Sequence, residues 1–506
     1  MSNENKSKSL ISSQWKWELF FLLLILVSGL GVRLIDLKDP PLDFAATRQL
    51  RSALIARGKY YQWNQEAPEW KREVAIKQGR HSMIEPTIME TLAAAGYWIL
   101  GREAVWLARV FSAVFWTLGG AALYLLAREM VSINGAMIAL AYYMFNPFGI
   151  AASRSFQPDP LMGALIVAAW WTFYRWFKDS SWKWAIWSGL AAGAAMLVKS
   201  TAVFFLLGGM AVLVLLKKDF RRTIKDFQVW VIALMAGVPV LAYHLYGVLV
   251  VGTLGQQFQG RFFPEMLTTV DYYQSLLNAM SRVAGHELLL LLGVIGLFYF
   301  RKRREFGYLT GIWLGYALYV VGFTYHSTTH YYYHLPAIPL IAISLAGESE
   351  WFFNRTKKLR TTRWLPFGLV LVVGLGLLGG NYLLKKDDYR HEPHFYQKVA
   401  GFVPREAKII VLSQDYGNRI AYYGWISPRP WKSPPASAVD DPYPEDLENF
   451  SQYFEDYSAG FDYFIITRLR NFRSREYLAA YLQDNYPVHR EGGGYLIFSL
   501  SERTDS

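Results

Sequence analysis

The sequence of 506 residues contains no cysteine. This absence excludes disulfides, a thiol nucleophile and cysteine metal clusters, and it removes cysteine usage as a guide to the redox compartment. Charge is also sparse, since Asp, Glu, Lys and Arg make up 18% of the chain whereas 53% is hydrophobic and 17% is aromatic. Several apolar runs approach the roughly 20 residues that a helix needs to cross a bilayer. The composition therefore predicts an integral membrane protein.

The apolar runs predict a mainly α, polytopic membrane protein with about eleven transmembrane helices. The first run opens with WKWELFF and lacks a small-residue cleavage site, so we interpret it as a retained anchor rather than a signal peptide. The predicted spans are residues 17–35, 104–127, 133–151, 160–177, 184–198, 200–216, 229–251, 286–300, 307–325, 335–347 and 365–384.

The net charge of +12 has a topological explanation. If the N-terminus is inside, three dense basic clusters face the cytoplasm, at residues 217–225, 301–305 and 355–363. This distribution follows the positive-inside rule, so topology explains the basic residues better than nucleic-acid binding does. An odd number of spans then places the chain from about residue 385 onward outside the cytoplasmic membrane.

The last 120 or so residues have a different character, and we predict that 385–506 form a small soluble α/β domain beside a transmembrane domain of 1–384. Residues 407–413 and 461–467 are short β-rich runs, and 474–486 have helical spacing before the strand-like GGYLIFSL. The segment shows no glycine-rich phosphate loop and no metal-ligand spacing. Recognition or support is therefore its expected role.

A long predicted outer loop, residues 36–103, contains two candidate carboxylates. Asp43 precedes a segment, 44–55, that can form an amphipathic helix in the membrane interface. A catalytic role for Asp43 competes with a structural one, because aspartate at this position often caps a helix. Glu85 precedes Pro86, which could open a second interfacial helix, and taken alone this glutamate is better explained as an ordinary residue than as a catalytic one.

Two cations lie within or beside apolar runs. Arg109 is about one turn inside the second predicted span, and Lys199 separates the fifth from the sixth. Ionisable residues at membrane depth usually face a cavity or a partner. The competing interpretations are a snorkelling arginine and an ordinary interfacial lysine.

The turn SRSFQPD places Arg154 and Asp159 between two apolar runs. Pro158 and Pro160 restrict the backbone on both sides of the aspartate, which suits a carboxylate held in position at a membrane surface. The simplest alternative is a mutual ion pair between Arg154 and Asp159.

The outer segment HSTTHYYYH carries His326, His330 and His334 at intervals of four, with Tyr331 following the second. If the segment is helical, the three histidines share a face. An anion-binding wall explains them better than a metal site, since no HExxH pattern accompanies them. Interfacial anchoring explains the tyrosines equally well.

The predicted outer face thus gathers carboxylates and cations, a combination that suits transfer of a group from a lipid phosphate. Cations stabilise a phosphate as it leaves, and a carboxylate accepts the proton of an attacking hydroxyl. The candidate acidic residues are Asp43, Glu85 and Asp159, and the candidate donor-phosphate ligands are Arg109, Lys199, Arg154, Arg261, His330 and Tyr331.

The order of these motifs, including ARVFS in the second span, RSFQPD after the third and HYYYH before a late span, resembles that of the C-type (GT-C) membrane glycosyltransferases. The similarity covers about 350 residues and is strongest to the branch of the protein O-mannosyltransferases and the lipid A aminoarabinose transferase. Here Phe44 follows Asp43 where the mannosyltransferases usually have glutamate, and Pro86 stands where the aminoarabinose transferase has lysine. The acceptor, and with it the sugar, are therefore open.

The resemblance implies an inverting reaction with a polyprenyl-phosphate sugar, outside the cytoplasmic membrane. It implies that Asp43 is the catalytic base, that Glu85 and Asp159 support it, and that Arg109 and Lys199 contact the donor phosphate. The acceptor is a protein, a lipid or a polysaccharide. No cofactor is required, because arginine and lysine can neutralise a single phosphate, although a divalent metal stays an alternative.

Two other classes of function compete with this prediction. A transporter or flippase of lipid-linked sugars would also have many spans and intramembrane charges, but its usual inverted repeats and broken helices are not evident in the sequence. A membrane scaffold could dock partners through the C-terminal domain. Neither alternative accounts for the ordered motifs.

Overall fold

The computed structural model describes residues 2–80, 84–217, 219–252, 254, 261–356, 361–431 and 447–503. The chain divides into two compact units. The helical unit comprises Met1–Leu37, Ser82–Met89 and Trp106–Asp387, and the sheet unit comprises Lys38–His81, Glu90–Val105 and Asp388–Ser506. Most of the long first loop therefore belongs to the same unit as the C-terminal residues. The predicted division near residue 385 had placed this loop with the transmembrane domain.

Helices dominate the fold. The α-helices, in chain order, are α1 (Ser2–Arg33), α2 (Ala46–Trp63), α3 (Glu69–Gly79), α4 (Ile88–Leu100), α5 (Val105–Met130), α6 (Ile133–Phe145), α7 (Pro147–Ser153), α8 (Asp159–Asp179), α9 (Trp182–Val198), α10 (Ala202–Lys217), α11 (Phe220–Thr223), α12 (Phe227–Leu245), α13 (Val270–Ala284), α14 (Glu287–Leu297), α15 (Arg304–Gly322), α16 (Thr324–Thr329), α17 (Ala337–Arg355), α18 (Leu365–Lys385), α19 (Glu392–Ala400), α20 (Asn418–Gly424), α21 (Leu447–Ser458), α22 (Leu469–Arg473) and α23 (Glu476–Asn485).

Every predicted apolar run overlaps one or more of these helices, so the mainly helical, multi-pass character is confirmed. By length and hydropathy, three helical stretches within the described residues can cross a membrane: Val105–Met130, Phe227–Val250 and Leu365–Lys385. The number rises to at most five if two bent helix pairs each count as one span. The count of eleven remains a prediction.

The two bent pairs correct the expectation that the chain contains no broken helix. The axes of α6 and α7 differ by 59°, and those of α13 and α14 by 86°. The first break falls at Asn146, which caps α7 just before Pro147, and proline cannot continue the hydrogen-bonding of α6. The second falls at Gly285, whose φ of 94° ends α13.

Helices of the helical unit approach closely where glycines face a neighbouring backbone. A Cβ atom on Gly208 of α10 would lie 2.2 Å from the carbonyl oxygen of Gly311 of α15, so neither residue tolerates a side chain without helix displacement. Small residues at such crossings are typical of membrane helix pairs, because backbone proximity maximises dispersion contacts.

The sheet unit contains the strands β1 (Ile409–Leu412), β2 (Arg429–Pro430), β3 (Tyr463–Ile466), β4 (Val488–Gly492) and β5 (Tyr495–Ser499). Their order is β2-β1-β3-β5-β4, with β1 parallel to β2 and β3, and β5 antiparallel to β3 and β4. The predicted strands and the predicted helix α23 are confirmed. Sequence patterns missed β4 because all its residues are exposed and VHREG lacks an apolar face.

The predicted amphipathic helix of the first loop is α2, which is longer than residues 44–55 and has a largely buried face. It packs against α3 at a close approach of Gly58 and Gly79, where a Cβ atom on Gly58 would lie 2.9 Å from the Gly79 Cα. It also contacts α20, because the buried Arg57 donates to the backbone oxygen of Tyr422 at 2.7 Å. The first loop is thus tied to the C-terminal chain within the sheet unit.

Candidate active site

A buried ion pair marks the start of α8. The Lys199 ammonium lies 2.8 Å from Asp159 Oδ1, and the two side chains are only 6% and 0% exposed. Lys199 follows the last residue of α9, and its ammonium also lies 4.4 Å from the ring centroid of Tyr333. Asp159 is the first residue of α8, where the helix dipole favours a negative charge. The predicted alternative, a pair between Arg154 and Asp159, is wrong because Arg154 binds other groups.

Polar atoms next to this pair lack partners among the described residues. The second carboxylate oxygen of Asp159 and both amide atoms of Gln157 are buried without a hydrogen bond. A buried polar group without a partner costs about 1–3 kcal/mol, so native proteins keep few of them. The surroundings of Asp159 and Gln157 therefore contain polar atoms that the fold itself does not use, as is typical of a binding site.

Aromatic and histidine side chains line the segment after α15. The rings of His326 and His330 are 5.2 Å apart, and His326 is 5.3 Å from Tyr333. Burial, followed by the charges of His330, Arg261 and Lys199, lowers the pKa of His326 to about 4, so its ring is neutral at pH 7. Three predicted donor-phosphate ligands, Lys199, Arg261 and His330, therefore influence the same side chain, His326.

His334 does not belong to this group, so the expectation that three histidines share a helical face is wrong. α16 ends at Thr329, and a 3-10 turn over Tyr331–His334 changes the direction of the chain. The buried His334 ring instead bonds Tyr316 and the backbone oxygen of Ser327, each at 2.6 Å. No group of three metal-ligating side chains is found within the described ranges.

Arg109 and Arg154 converge on the end of the first span. Arg154 donates to the backbone oxygens of Ile35 and Asp36, the latter at 3.0 Å, and Arg109 donates to that of Leu37 at 3.3 Å. Both side chains are about 1% exposed, so Arg109 does not snorkel to a headgroup region. Both arginines hold the strained start of the first loop, where Asp36 has a φ of 55°.

Three polar residues of the helical unit were not selected from the sequence. Gln157 lies inside the SRSFQPD motif and could have been included. Arg33 ends α1 and donates to Ser153 Oγ at 2.6 Å, and its place in the last turn of an apolar run was a usable signal. Arg282 lies 4.6 Å from the ring centroid of Tyr331, a contact that no sequence pattern indicated.

Asp43 belongs to the sheet unit and does not cap α2. The capping position is Ala45, which has a φ of 45° and no side-chain hydrogen bond, so the structural interpretation of Asp43 is wrong. Its Oδ1 accepts from Gln49 Nε2 at 3.2 Å, and the same amide donates to the Phe44 oxygen at 2.6 Å. Gln49, in the first turn of α2, thus orients Asp43, which lies two residues before the strained Ala45.

Glu85 is partly buried in the helical unit, three residues before α4. Pro86 therefore does not open the helix, which begins at Ile88. The acidic residue of its first turn is Glu90, a buried side chain that accepts from Ser52 Oγ at 2.7 Å in the sheet unit. Sequence patterns did not single out Glu90.

Comparisons with known proteins support the resemblance. Residues 85–246 match the family model of the dolichyl-phosphate-mannose-protein mannosyltransferases. ArnT from Cupriavidus metallidurans in the apo state is 15% identical with a TM-score of 0.63, covering 96% of this chain and 98% of that one. The same enzyme bound to undecaprenyl phosphate has the same identity and coverage and a TM-score of 0.62.

The oligosaccharyltransferase AglB from Archaeoglobus fulgidus, in complex with an inhibitory peptide and a dolichol-phosphate, is 12% identical with a TM-score of 0.56, covering 97% of this chain and 74% of that one. No curated protein matches the sequence. The fold is thus that of the GT-C glycosyltransferases, and the resemblance drawn from the motifs is confirmed.

Proposed function

We propose that the protein is an inverting glycosyltransferase that moves a sugar from a polyprenyl-phosphate donor to an acceptor hydroxyl. The observation that carries the proposal is the buried Lys199–Asp159 pair, with unsatisfied polar atoms beside it, in a chain with the GT-C fold. The likeness to a structure that contains undecaprenyl phosphate supports a lipid-linked donor.

The donor phosphate is bound by cations of the helical unit. Lys199 and Arg261 supply positive charge around the neutral His326, the ring of His330 lies 5.2 Å from that of His326, and Tyr331 borders the group. As the bond between the anomeric carbon and the phosphate oxygen breaks, these cations stabilise the growing charge on the leaving phosphate. Asp159 keeps the ammonium of Lys199 in position. Two positive side chains suffice for one phosphate, so a metal is not required.

Arg109 and Arg154 also serve the donor site in this proposal. Their guanidinium groups hold the carbonyls of residues 35–37 and so position the start of the first loop. We include both as donor-site residues because a cation near a phosphate contributes even without direct contact.

Asp43 is the general base. It accepts the proton of the acceptor hydroxyl while the hydroxyl oxygen attacks the anomeric carbon from the side opposite the phosphate, which inverts that centre. Glu85 assists as a second acidic group. We place the reaction at the outer face of the cytoplasmic membrane, with the N-terminus inside and the C-terminal residues outside, because the basic clusters then obey the positive-inside rule.

Release of polyprenyl phosphate from a panel of polyprenyl-phosphate sugars by the purified protein in lipid tests the proposal. A cell-envelope extract supplies the acceptor. We expect release by the wild type and loss of release in Asp43→Asn, with donor binding retained, since the amide preserves shape but cannot take a proton. Glu66→Gln, an exposed carboxylate on the same loop, is the matched control. Full activity of Asp43→Asn would remove Asp43 from the mechanism.

A flippase of lipid-linked sugars is the second candidate, favoured by the bent pairs α6–α7 and α13–α14, because transporters often bind substrates at broken helices. Asn146 joins the two breaks by donating to the backbone oxygen of Val283 at 3.0 Å. Movement of a labelled polyprenyl-phosphate sugar across a vesicle membrane, with no release of polyprenyl phosphate in the presence of acceptor extract, would favour this function over transfer.

A further inference from the structure

A cavity of about 480 Å³ lies within the sheet unit, where β1 and β3 end. Gln414 follows β1, and the rest of the lining comes from the segment between Thr467 and Ser474, which follows β3. From β1 the chain goes to β2 on one side, and it later returns to β3 on the other side of β1. The cavity is therefore at the switch point of the parallel strands, where open α/β sheets bind their ligands.

The floor of the cavity is polar and ordered by its own hydrogen bonds. The Thr467 hydroxyl donates to Gln414 Oε1 at 2.7 Å and lies 2.8 Å from Ser413 Oγ. Tyr396 donates to the same Gln414 oxygen at 2.8 Å. Hydroxyl and amide groups fixed in this way suit the hydroxyl groups of a sugar, because they bind by hydrogen bonding without adding net charge.

The rim of the cavity is cationic. Arg468 and Arg470 line it and are exposed, and within the described part of the chain neither guanidinium forms an ion pair or a side-chain hydrogen bond. Residues 467–475, TRLRNFRSR, contain four arginines and no acidic residue. Guanidinium groups that no carboxylate neutralises favour a phosphate or carboxylate, which they can bind in bidentate fashion.

We propose that this cavity binds a saccharide carrying an anionic group, with the sugar over Gln414 and Thr467 and the phosphate or carboxylate between Arg468 and Arg470. Its volume lies within the range of about 300–1,000 Å³ that small-molecule sites occupy. Assigning this saccharide to the acceptor rests on the proposed glycosyltransferase function. The sheet unit would then recognise an anionic glycan acceptor.

The test is calorimetric titration of the full-length protein in lipid nanodiscs with glucose 6-phosphate, glucuronate and neutral glucose. We expect glucose 6-phosphate or glucuronate to bind at least tenfold more tightly than glucose, and to weaken as salt is added. The stronger of the two anions identifies the group. The double variant Arg468→Gln/Arg470→Gln should weaken anion binding at least tenfold, whereas Arg473→Gln, exposed in the same segment but outside the lining, should not.

Equal binding of glucose and both anions, no binding of any, or unchanged binding by the double variant would overturn the proposal. Titration with inorganic phosphate separates the contribution of the arginine rim from that of the polar floor. If inorganic phosphate bound as tightly as glucose 6-phosphate, the proposed contact between the sugar and the floor would be refuted. The same titration on Asp43→Asn separates the two proposals. Loss of glycosyl transfer with intact sugar-phosphate binding would disprove only the catalytic role of Asp43, and active transfer without such binding would disprove only this cavity.

Discussion

Arg57–Glu103 in the sheet unit and Lys199–Asp159 in the helical unit are both buried ion pairs, but the atoms around the two pairs differ. In the sheet unit, Arg57 donates to both carboxylate oxygens of Glu103 at about 3.1 Å and to the Tyr422 oxygen, and the rings of Tyr422 and Trp425 stack on it at 3.8 and 4.0 Å. Burial opposes the charge of Arg57, but Glu103 and Tyr422 outweigh it and raise the pKa of Arg57.

The pair of the helical unit is less complete. Lys199 bonds one oxygen of Asp159, while the other oxygen and the neighbouring amide of Gln157 have no partner among the described residues. A buried pair whose two carboxylate oxygens are both bonded holds a structure together, whereas one that leaves a carboxylate oxygen unsatisfied has binding capacity left for a ligand. We therefore interpret Arg57–Glu103 as a structural pair and propose that Lys199–Asp159 is a functional one, although both are buried charges.

The largest effect is expected from breaking the structural pair. Arg57→Met leaves Glu103 buried without its partner and should destabilise the sheet unit by about 3–5 kcal/mol. Thermal unfolding followed by intrinsic fluorescence measures this, with the exposed Arg102→Met as the control. Arg57→Met/Glu103→Leu should recover part of the loss, since it removes both charges. An equal loss in the single and double variants would refute the role of the pair.

Breaking the functional pair should affect activity more than stability. Lys199→Gln keeps a donor for Asp159 but removes the charge that faces the leaving phosphate, so we expect release of polyprenyl phosphate to fall about 100-fold. The fall in melting temperature should be smaller than for Arg57→Met. Lys183→Gln, exposed at the start of α9, is the control. If Lys199→Gln released polyprenyl phosphate as fast as the wild type, the Lys199–Asp159 pair would also be structural.

Replacing an unsatisfied amide sharpens the distinction further. Gln157→Met is nearly isosteric and removes buried polar atoms without partners, so stability should rise by about 1 kcal/mol while donor affinity falls. Melting temperature and donor binding should therefore move in opposite directions, and the exposed Gln62→Met should change neither. A drop in both quantities would mean that the amide stabilises the fold.

The smallest expected effect is the pH dependence of an exposed cluster in the sheet unit. Burial opposes ionisation of Glu455, but hydrogen bonds from Tyr481 and Tyr486 and the charge of Arg503 outweigh it and lower its pKa. The stabilisation is therefore present above the usual glutamate value of about 4.3 and is lost as pH falls through the lowered value. Melting curves of Glu455→Gln and wild type should differ at pH 7 and converge near pH 3. A constant difference would contradict this.

The sequence predicted the helices because a long apolar run is unfavourable in water, and this holds whichever residues the run later packs against. It also predicted the strands β1, β3 and β5 from their β-branched and aromatic residues. It could not predict β4, which has no buried face, or the two helix breaks, which depend on Asn146 and Gly285 as well as on proline. The sequence marked Asp159, Lys199 and Arg154 as unusual, but it did not reveal that Asp159 pairs with Lys199 rather than with Arg154.

Composition and motif order by themselves determined the membrane character, the GT-C resemblance and the set of charged candidates, since a charge in an apolar run is visible without coordinates. Only the tertiary structure decided which partner each charge has. Lys199 reaches Asp159 across 40 positions, and Arg57 reaches Tyr422 across 365. Hydrogen bonds depend on ångström-scale distances between groups far apart in the chain, and folding alone sets those distances.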